Sequence, residues 1–242
     1  MLLRKIVSVY YSCIVKLSDL FRKHAYWVLL KRKSSITKFN DFEKKIRKIW
    51  YKSNPRFGTY DVFYQSNPIL KINGFRPTII RFNNYNLMTY IDKNKSVLDI
   101  GGNTGFFSSY VAQFVKFIDL IEYDENLANI ASMTIKYIDL NNVNIMNLDI
   151  KKFEPKYKYD IIFSFAIHKW VGESLESYLL RLEDLLDNEG RIIIESHPGE
   201  DEHKILETGI SKSNFKIIQK GITDDHLGHL RYFYWLCKDV QI

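Results

Sequence analysis

Apolar residues follow two rhythms along the chain, and the change from one to the other divides it. In residues 2–30, Leu3, Val7, Tyr10, Ile14, Leu17 and Phe21 recur at spacings of three and four among lysines and arginines, which predicts an amphipathic basic helix. Phe42, Ile46 and Ile49 repeat that spacing within a second basic stretch, residues 31–50, so a second helix with a solvated cationic face is expected. Further on, the apolar residues gather into short runs instead. Residues 96–100, 117–122, 143–148 and 159–166 read as strands, and the nearly unbroken run YDIIFSFA at 159–166 suits a central parallel strand covered on both faces. A helical pattern opens at Phe106 and another spans 125–137, so strands alternate with helices as in a parallel α/β sheet. Turn signals at 53–58 (SNPRFG) and 66–68 (SNP) mark the entry to this region. They place a boundary near residue 70, between a basic, mainly helical extension (1–69) and one α/β domain (70–242).

Length and charge sharpen this picture. The chain has 242 residues, enough for one α/β domain and an extension. Its net charge of +7 is unevenly placed: residues 1–50 hold 13 Lys and Arg against 3 Asp and Glu, leaving 22 against 25 for the remainder. A positive arm on a mildly acidic domain serves an anionic membrane surface or a polyanionic partner and does not by itself line a cleft. Arg4, Lys5, Lys16, Asp19, Arg22 and Lys23 interrupt the first apolar stretch, which is therefore too broken to provide the roughly 20 apolar residues of a membrane span. It also lacks the small-residue cleavage site of a secretory leader. Tyr26 and Trp27 could anchor the arm, residues 1–33, in a membrane interface, while packing on the domain is the alternative. Cys13 and Cys237 lie at opposite ends without metal-ligand spacing, which fits a reducing, cytoplasmic setting.

Candidate chemistry begins where the first strand, SVLDI, runs into Gly101-Gly102-Asn103-Thr104-Gly105 and then a helix. A glycine turn at the carboxyl end of a parallel strand lets a ligand approach backbone where no Cβ intervenes, beside free helix amides. The glycines at 101, 102 and 105 lack the dinucleotide spacing G-x-G-x-x-G. Glu122, about 20 residues beyond the loop at the end of the next strand, is placed to accept from both ribose hydroxyls. Asp124 is the alternative, with helix N-capping as its structural role. Asp149, after the third strand, could accept from an adenine amino group or serve a surface turn.

From about Gly74 onward the chain resembles class I S-adenosylmethionine-dependent methyltransferases, through VLDIGGNTG at 97–105, Glu122, Asp149 and YDIIFSFAIHKW at 159–170 in that order. The resemblance implies a Rossmann-like, doubly wound seven-stranded sheet of order 3-2-1-4-5-7-6, with strands five to seven supplied by residues 191–195, 215–221 and 231–238. It also implies S-adenosyl-L-methionine as cofactor, held by Asp99, Gly101, Gly102, Asn103, Gly105, Glu122, Asp149 and Ser164. Three further stretches resemble both methylphosphate capping enzymes and O-antigen chain-terminating methyltransferases: FSFAIHKWV at 163–171, IIIESHP at 192–198 and RYFYW at 231–235. His168 stands where the capping enzymes usually have a small hydroxyl residue, and Tyr232 where a proline is more usual. Gly74–Thr78 with Arg81 resembles a segment that precedes the first motif in bacterial tRNA-modifying and glycan-modifying relatives.

Methyl transfer from a sulfonium is an in-line displacement, so positioning is the enzyme's main task. For a hydroxyl acceptor, His168 is the candidate general base, since an ordinary imidazole titrates near 6.5. A phosphate acceptor is already anionic and needs cations more than a base, which turns attention to Lys169, Arg76 and Arg231. Trp170 is a candidate aromatic wall or core residue, and His197 a second candidate at the substrate side. Arg76 and Arg81 could clamp an anion. His226 and His229 stand near Asp224 and Asp225, but with Gly228 between them and no cysteine no metal is expected. The acceptor expected is an oxygen or phosphate on a glycan or lipid-linked glycan, with tRNA or an RNA end as the alternative.

Overall fold

A computed structural model describes residues 38–53, 62–199, 201–224 and 230–239. The amphipathic stretch 2–30, Cys13, His226 and His229 lie outside the described residues. The first described helix, α1 (Lys38–Lys52), buries Phe42, Ile46 and Trp50, an i, i+4, i+8 ridge along one face. Ile49 packs partly buried against the same core, and Trp50 beside it, unforeseen in the spacing, is almost fully buried. Lys44, Lys45 and Lys48 stay exposed on the other face. Phe42 stacks on Tyr137 with ring centroids 4.2 Å apart, and Ile46 and Trp50 share a core with Phe63, Ile72, Phe106 and Ile130. Two short parallel strands, β1 (Phe63–Gln65) and β2 (Gly74–Arg76), follow, then helix α2 (Thr78–Asn84).

The main sheet contains β3 (Ser96–Ile100), β4 (Phe117–Glu122), β5 (Val143–Asn147), β6 (Tyr159–Phe165), β7 (Leu186–Glu195), β8 (Phe215–Asp224) and β9 (Leu230–Lys238) in the spatial order β5-β4-β3-β6-β7-β9-β8. Numbered from the first strand of this sheet, that is the expected 3-2-1-4-5-7-6. The pairs from β5 to β7 are parallel, and only β9 runs antiparallel to its neighbours β7 and β8. Helices α3 (Phe106–Val111), α4 (Glu125–Ile138), α5 (Leu175–Leu185) and α6 (Glu202–Ser211) complete the layers.

Alternate strand residues divide between two cores, as the two-residue period requires. Leu98, Ile100, Ile162, Ile192, Ile194, Tyr234 and Leu236 pack with Tyr178, Leu179 and Leu182 of α5 on one face. Val97, Ile161, Phe163, Ile193, Phe233 and Trp235 pack with Phe107, Val111 and the α2 neighbourhood on the other. Both faces being covered, β3 is buried at every position, which is why it reads as a continuous apolar run rather than an alternating one. No helix among the described residues is long and apolar enough to cross a membrane.

Candidate active site

Parallel strands put all their carboxyl ends on one edge, and ligands of such sheets bind outside that edge where the strand order reverses. Here the reversal lies at β3, flanked by β4 and β6. The loop after β3 turns through left-handed backbone at Gly101 (φ +70°), Asn103 (φ 58°) and Gly105 (φ 69°). A Cβ at Gly101 would stand 2.7 Å from the Ile167 side chain, and one at Gly102 2.4 Å from Leu120, so a side chain at either position would push its neighbour aside. The residues after β6 close over this loop because Ala166 also takes left-handed φ (54°) and its amide donates to the Glu195 carbonyl at 3.1 Å.

Glu122, at the end of β4, braces the loop from the side. One carboxylate oxygen accepts from the Asn103 amide at 2.8 Å and the other from the Asp124 amide at 2.9 Å. Each oxygen retains a lone pair for a further donor. Burial lifts this carboxyl to about 7, against the two amides that favour its charge. Asp124 is the N-cap of α4, accepting from the amides of Asn126 and Leu127. Asp99 is buried and accepts from Ser108 in α3, and burial raises it to about 6. Asp149 caps a short turn by accepting from the Lys151 amide at 2.9 Å, with the Lys151 ammonium 3.5 Å away. Ser164 is fully buried, its hydroxyl 2.9 Å from that of Tyr178. The glycine loop and Glu122 thus form a shelf suited to a nucleoside ribose, with Asp99 beneath it.

Across β6 and β7 lies a second group. Glu195, buried at 0% exposure, receives both terminal nitrogens of Arg76, at 2.8 and 2.5 Å, and the Tyr85 hydroxyl at 2.5 Å. Arg231 stands 3.8 Å from the same carboxylate. Burial alone would raise Glu195, but Arg76 by charge and hydrogen bond, with Arg81 and Arg231 behind it, holds the carboxyl down at about 2. Arg76 therefore meets a carboxylate of its own chain. The His168 and His197 rings lie 4.8 Å apart, both nearly buried, and Trp170, half exposed, edges onto His197 at 6.1 Å. Burial pushes both imidazoles down to about 4, with His197 and Lys169 adding to the effect at His168 and Arg231 and Lys169 at His197, so both are neutral near pH 7 and His168 leaves the ordinary imidazole range expected from the sequence. Lys169 is paired with Glu202 at the start of α6.

The structure thus brings Gly101–Gly105, Glu122 and Asp99 together on one side, and Arg76, His168, Lys169, Trp170, His197 and Arg231 on the other. Sequence reasoning overlooked Tyr85 and gave no role to Glu195. A carboxylate ending an otherwise apolar strand was the available signal for Glu195, and the arginines at 76 and 81 for its partners. Among the described residues no His, Cys, Asp and Glu cluster suits a metal.

A family model described as "Methyltransferase domain" matches residues 75–231. Malonyl-[acyl-carrier protein] O-methyltransferase 1 of Ilyobacter polytropus is 29% identical over 100 residues, 41% of this chain and 37% of that protein. Ribosomal RNA small subunit methyltransferase A of Mesomycoplasma hyopneumoniae is 36% identical over 72 residues, 29% of this chain and 27% of that protein. The chain therefore spans only about a third of the length of the curated relatives it matches. The N-methyltransferase NodS of Bradyrhizobium japonicum, solved with S-adenosyl-L-homocysteine, has the same fold, with a TM-score of 0.56, 13% identity and coverage of 67% of this chain and 88% of that one. With the family model matching well over half of its length, on a sheet of the expected order, the chain belongs to the methyltransferase-domain family.

Proposed function

We propose that this chain transfers a methyl group from S-adenosyl-L-methionine to an oxygen or phosphate of a cell-surface or lipid-linked glycan, at the cytoplasmic side of a membrane that its basic arm, residues 1–33, contacts. The observation that carries the methyltransferase reading is the Glu122 carboxylate turned onto the amide of Asn103 in a glycine loop where a Cβ at Gly101, Gly102 or Gly105 would crowd its neighbours. The residues fit the cofactor: the shelf approaches closely at Gly101 and Gly102, and Glu122 has lone pairs left for the ribose hydroxyls. Bound there, S-adenosylmethionine supplies an electrophilic methyl on a sulfonium. The chain's own task is to hold the acceptor in line with it and keep water out.

For a hydroxyl acceptor, neutral His168 takes the proton as the oxygen attacks. With its imidazole at about 4, the rate would already be level between pH 6 and 8. For a phosphate acceptor no proton has to leave, and Lys169 and Arg231 hold the charge. The similarity to an O-methyltransferase supports an oxygen acceptor. A second reading, methylation of tRNA or an RNA end, is favoured by the cationic arm and by the similarity to a ribosomal RNA methyltransferase; affinity would then fall steeply with salt. Incubation with methyl-labelled cofactor and a cell extract separated into lipid-linked glycan, RNA and small molecules tests both. Label in the glycan fraction is expected, whereas label confined to RNA overturns the first reading in favour of the second.

A further inference from the structure

Four lysines share one side of α1 and meet no anion there. Lys44, Lys45, Lys48 and Lys52 are all exposed, and among the described residues none of them forms an ion pair or a hydrogen bond. At about 100° per residue they occupy an arc of roughly 100°, turned away from the buried Phe42, Ile46 and Trp50, and the line from Lys44 through Lys48 to Lys52 rises about 12 Å along the helix. Asp41, in the first turn, is the one acid of α1 on this arc and pairs with none of the lysines; Glu43 lies off it and is held by Arg47 at 2.6 Å. Like charges four residues apart weaken a helix. The protein thus keeps two such repulsive neighbours, Lys44 with Lys48 and Lys48 with Lys52, which an external anion would relieve.

The form of the ridge indicates which anion. It is convex and made of lysine alone. Arg47, the only arginine of α1, is turned onto Glu43 and over the Phe63 ring at 4.9 Å, and Phe42 and Trp50 are buried rather than displayed. A single-stranded nucleic acid is held in a cationic groove with aromatic rings for its bases, and arginine forks suit its phosphates; none of these lies on the ridge. Compact ammonium charges on a raised line suit instead the diffuse negative layer of an anionic bilayer. Phe42 stacks on Tyr137 near the end of α4, whereas Trp50 lies against Phe63, which meets Phe106 directly after the glycine loop. Lys52 therefore stands at the end of the ridge nearer the carboxyl edge of the sheet. We propose that the α1 lysine ridge docks the domain on an anionic phospholipid surface, with that edge close to the headgroups. The inference rests on the membrane contact proposed above, and places a contact on the folded domain in addition to residues 1–33.

Co-sedimentation of the full chain and of Lys44→Gln/Lys48→Gln/Lys52→Gln with phosphatidylcholine vesicles, with and without phosphatidylserine, tests it. The wild type is expected to bind only the vesicles that contain phosphatidylserine, and less at high salt. The glutamine variant should bind them about a hundredfold more weakly, roughly fivefold for each lysine neutralised. Lys44→Arg/Lys48→Arg/Lys52→Arg should bind as the wild type does, because a headgroup layer reads charge rather than shape. Both variants should keep the wild-type circular dichroism spectrum, the side chains being exposed. Equal vesicle binding by the wild type and the glutamine variant overturns the ridge and leaves the membrane contact to the arm. No vesicle binding by the wild type overturns the membrane contact itself. Gel-shift binding of polyuridylate that the glutamine variant loses, with vesicle binding unchanged, overturns the proposal in favour of a nucleic acid.

Discussion

Arg76 and Glu195, 119 residues apart in sequence, meet in a bidentate ion pair at 2.8 and 2.5 Å in which the side chains are 1% and 0% exposed. The pair ties the segment before the first sheet strand to the end of β7. Removing one partner would strand the other charge away from water, so Glu195→Ala or Arg76→Ala should lower stability by about 3–5 kcal/mol. Arg76→Lys should recover only part of this, since an ammonium cannot form the two parallel bonds. Urea denaturation of each variant checks it, and a loss below 1 kcal/mol would speak against a structural role for the pair.

Gly101→Ala is expected to spare the fold and weaken the nucleotide shelf. The residue sits at φ +70°, and its Cβ would meet Ile167 at 2.7 Å, which combines left-handed strain of about 1–2 kcal/mol with displacement of the segment leading to His168. Affinity for S-adenosylhomocysteine should fall by tenfold or more while the circular dichroism spectrum is retained.

Cofactor affinity should rise with pH between 6 and 8. Ribose hydroxyls donate to the ionised form of Glu122, whose carboxyl is pushed up to about 7 by burial, so the chain must lose that proton to bind well. Titrations at pH 6, 7 and 8 would show this, and Glu122→Gln should be both weak and independent of pH. A flat wild-type profile would mean that Glu122 does not hold the ribose.

The two buried histidines should each destabilise the fold as the solution is acidified from about 6.5 towards 4, against the opposite contribution of Glu122 and Asp99, whose carboxyls burial raises to about 7 and 6. His168 and His197 are held at about 4 by burial, below their unfolded value, so the unfolded chain binds protons first and gains as pH drops through that window. Between pH 7 and 5 the double variant His168→Gln/His197→Gln should gain stability relative to the wild type, read from denaturation midpoints at the two pH values, and an unchanged difference would contradict the low titration range of the pair.

The strands β3 to β6 were legible as short, largely apolar runs and the order of motifs around Gly101, Glu122 and Tyr159 marked the central strand, whereas the places of β7, β8 and β9 came from the family resemblance. Strand ends were less so. β7 begins at Leu186 and β8 continues to Asp224, both through polar residues whose extended backbone is set by pairing with neighbours rather than by their own pattern. The glycine loop could be read because positive φ demands glycine; the role of Asp124 could be read because an acid before a helix caps it. The Arg76–Glu195–Tyr85 cluster could not, since its members are far apart in sequence and each looks like an ordinary surface residue until long-range packing buries it. The low titration range of His168 escaped for the same reason: it comes from burial beside His197, which the strand order alone brings near.

The most direct measurement is calorimetric titration of the full chain with S-adenosylhomocysteine, beside Glu122→Ala and Gly101→Arg. One site per chain with an affinity lost in both variants, each still folded, is the predicted result. No binding by the wild-type chain, or an affinity unchanged in both variants, would contradict the assignment of this shelf to the cofactor.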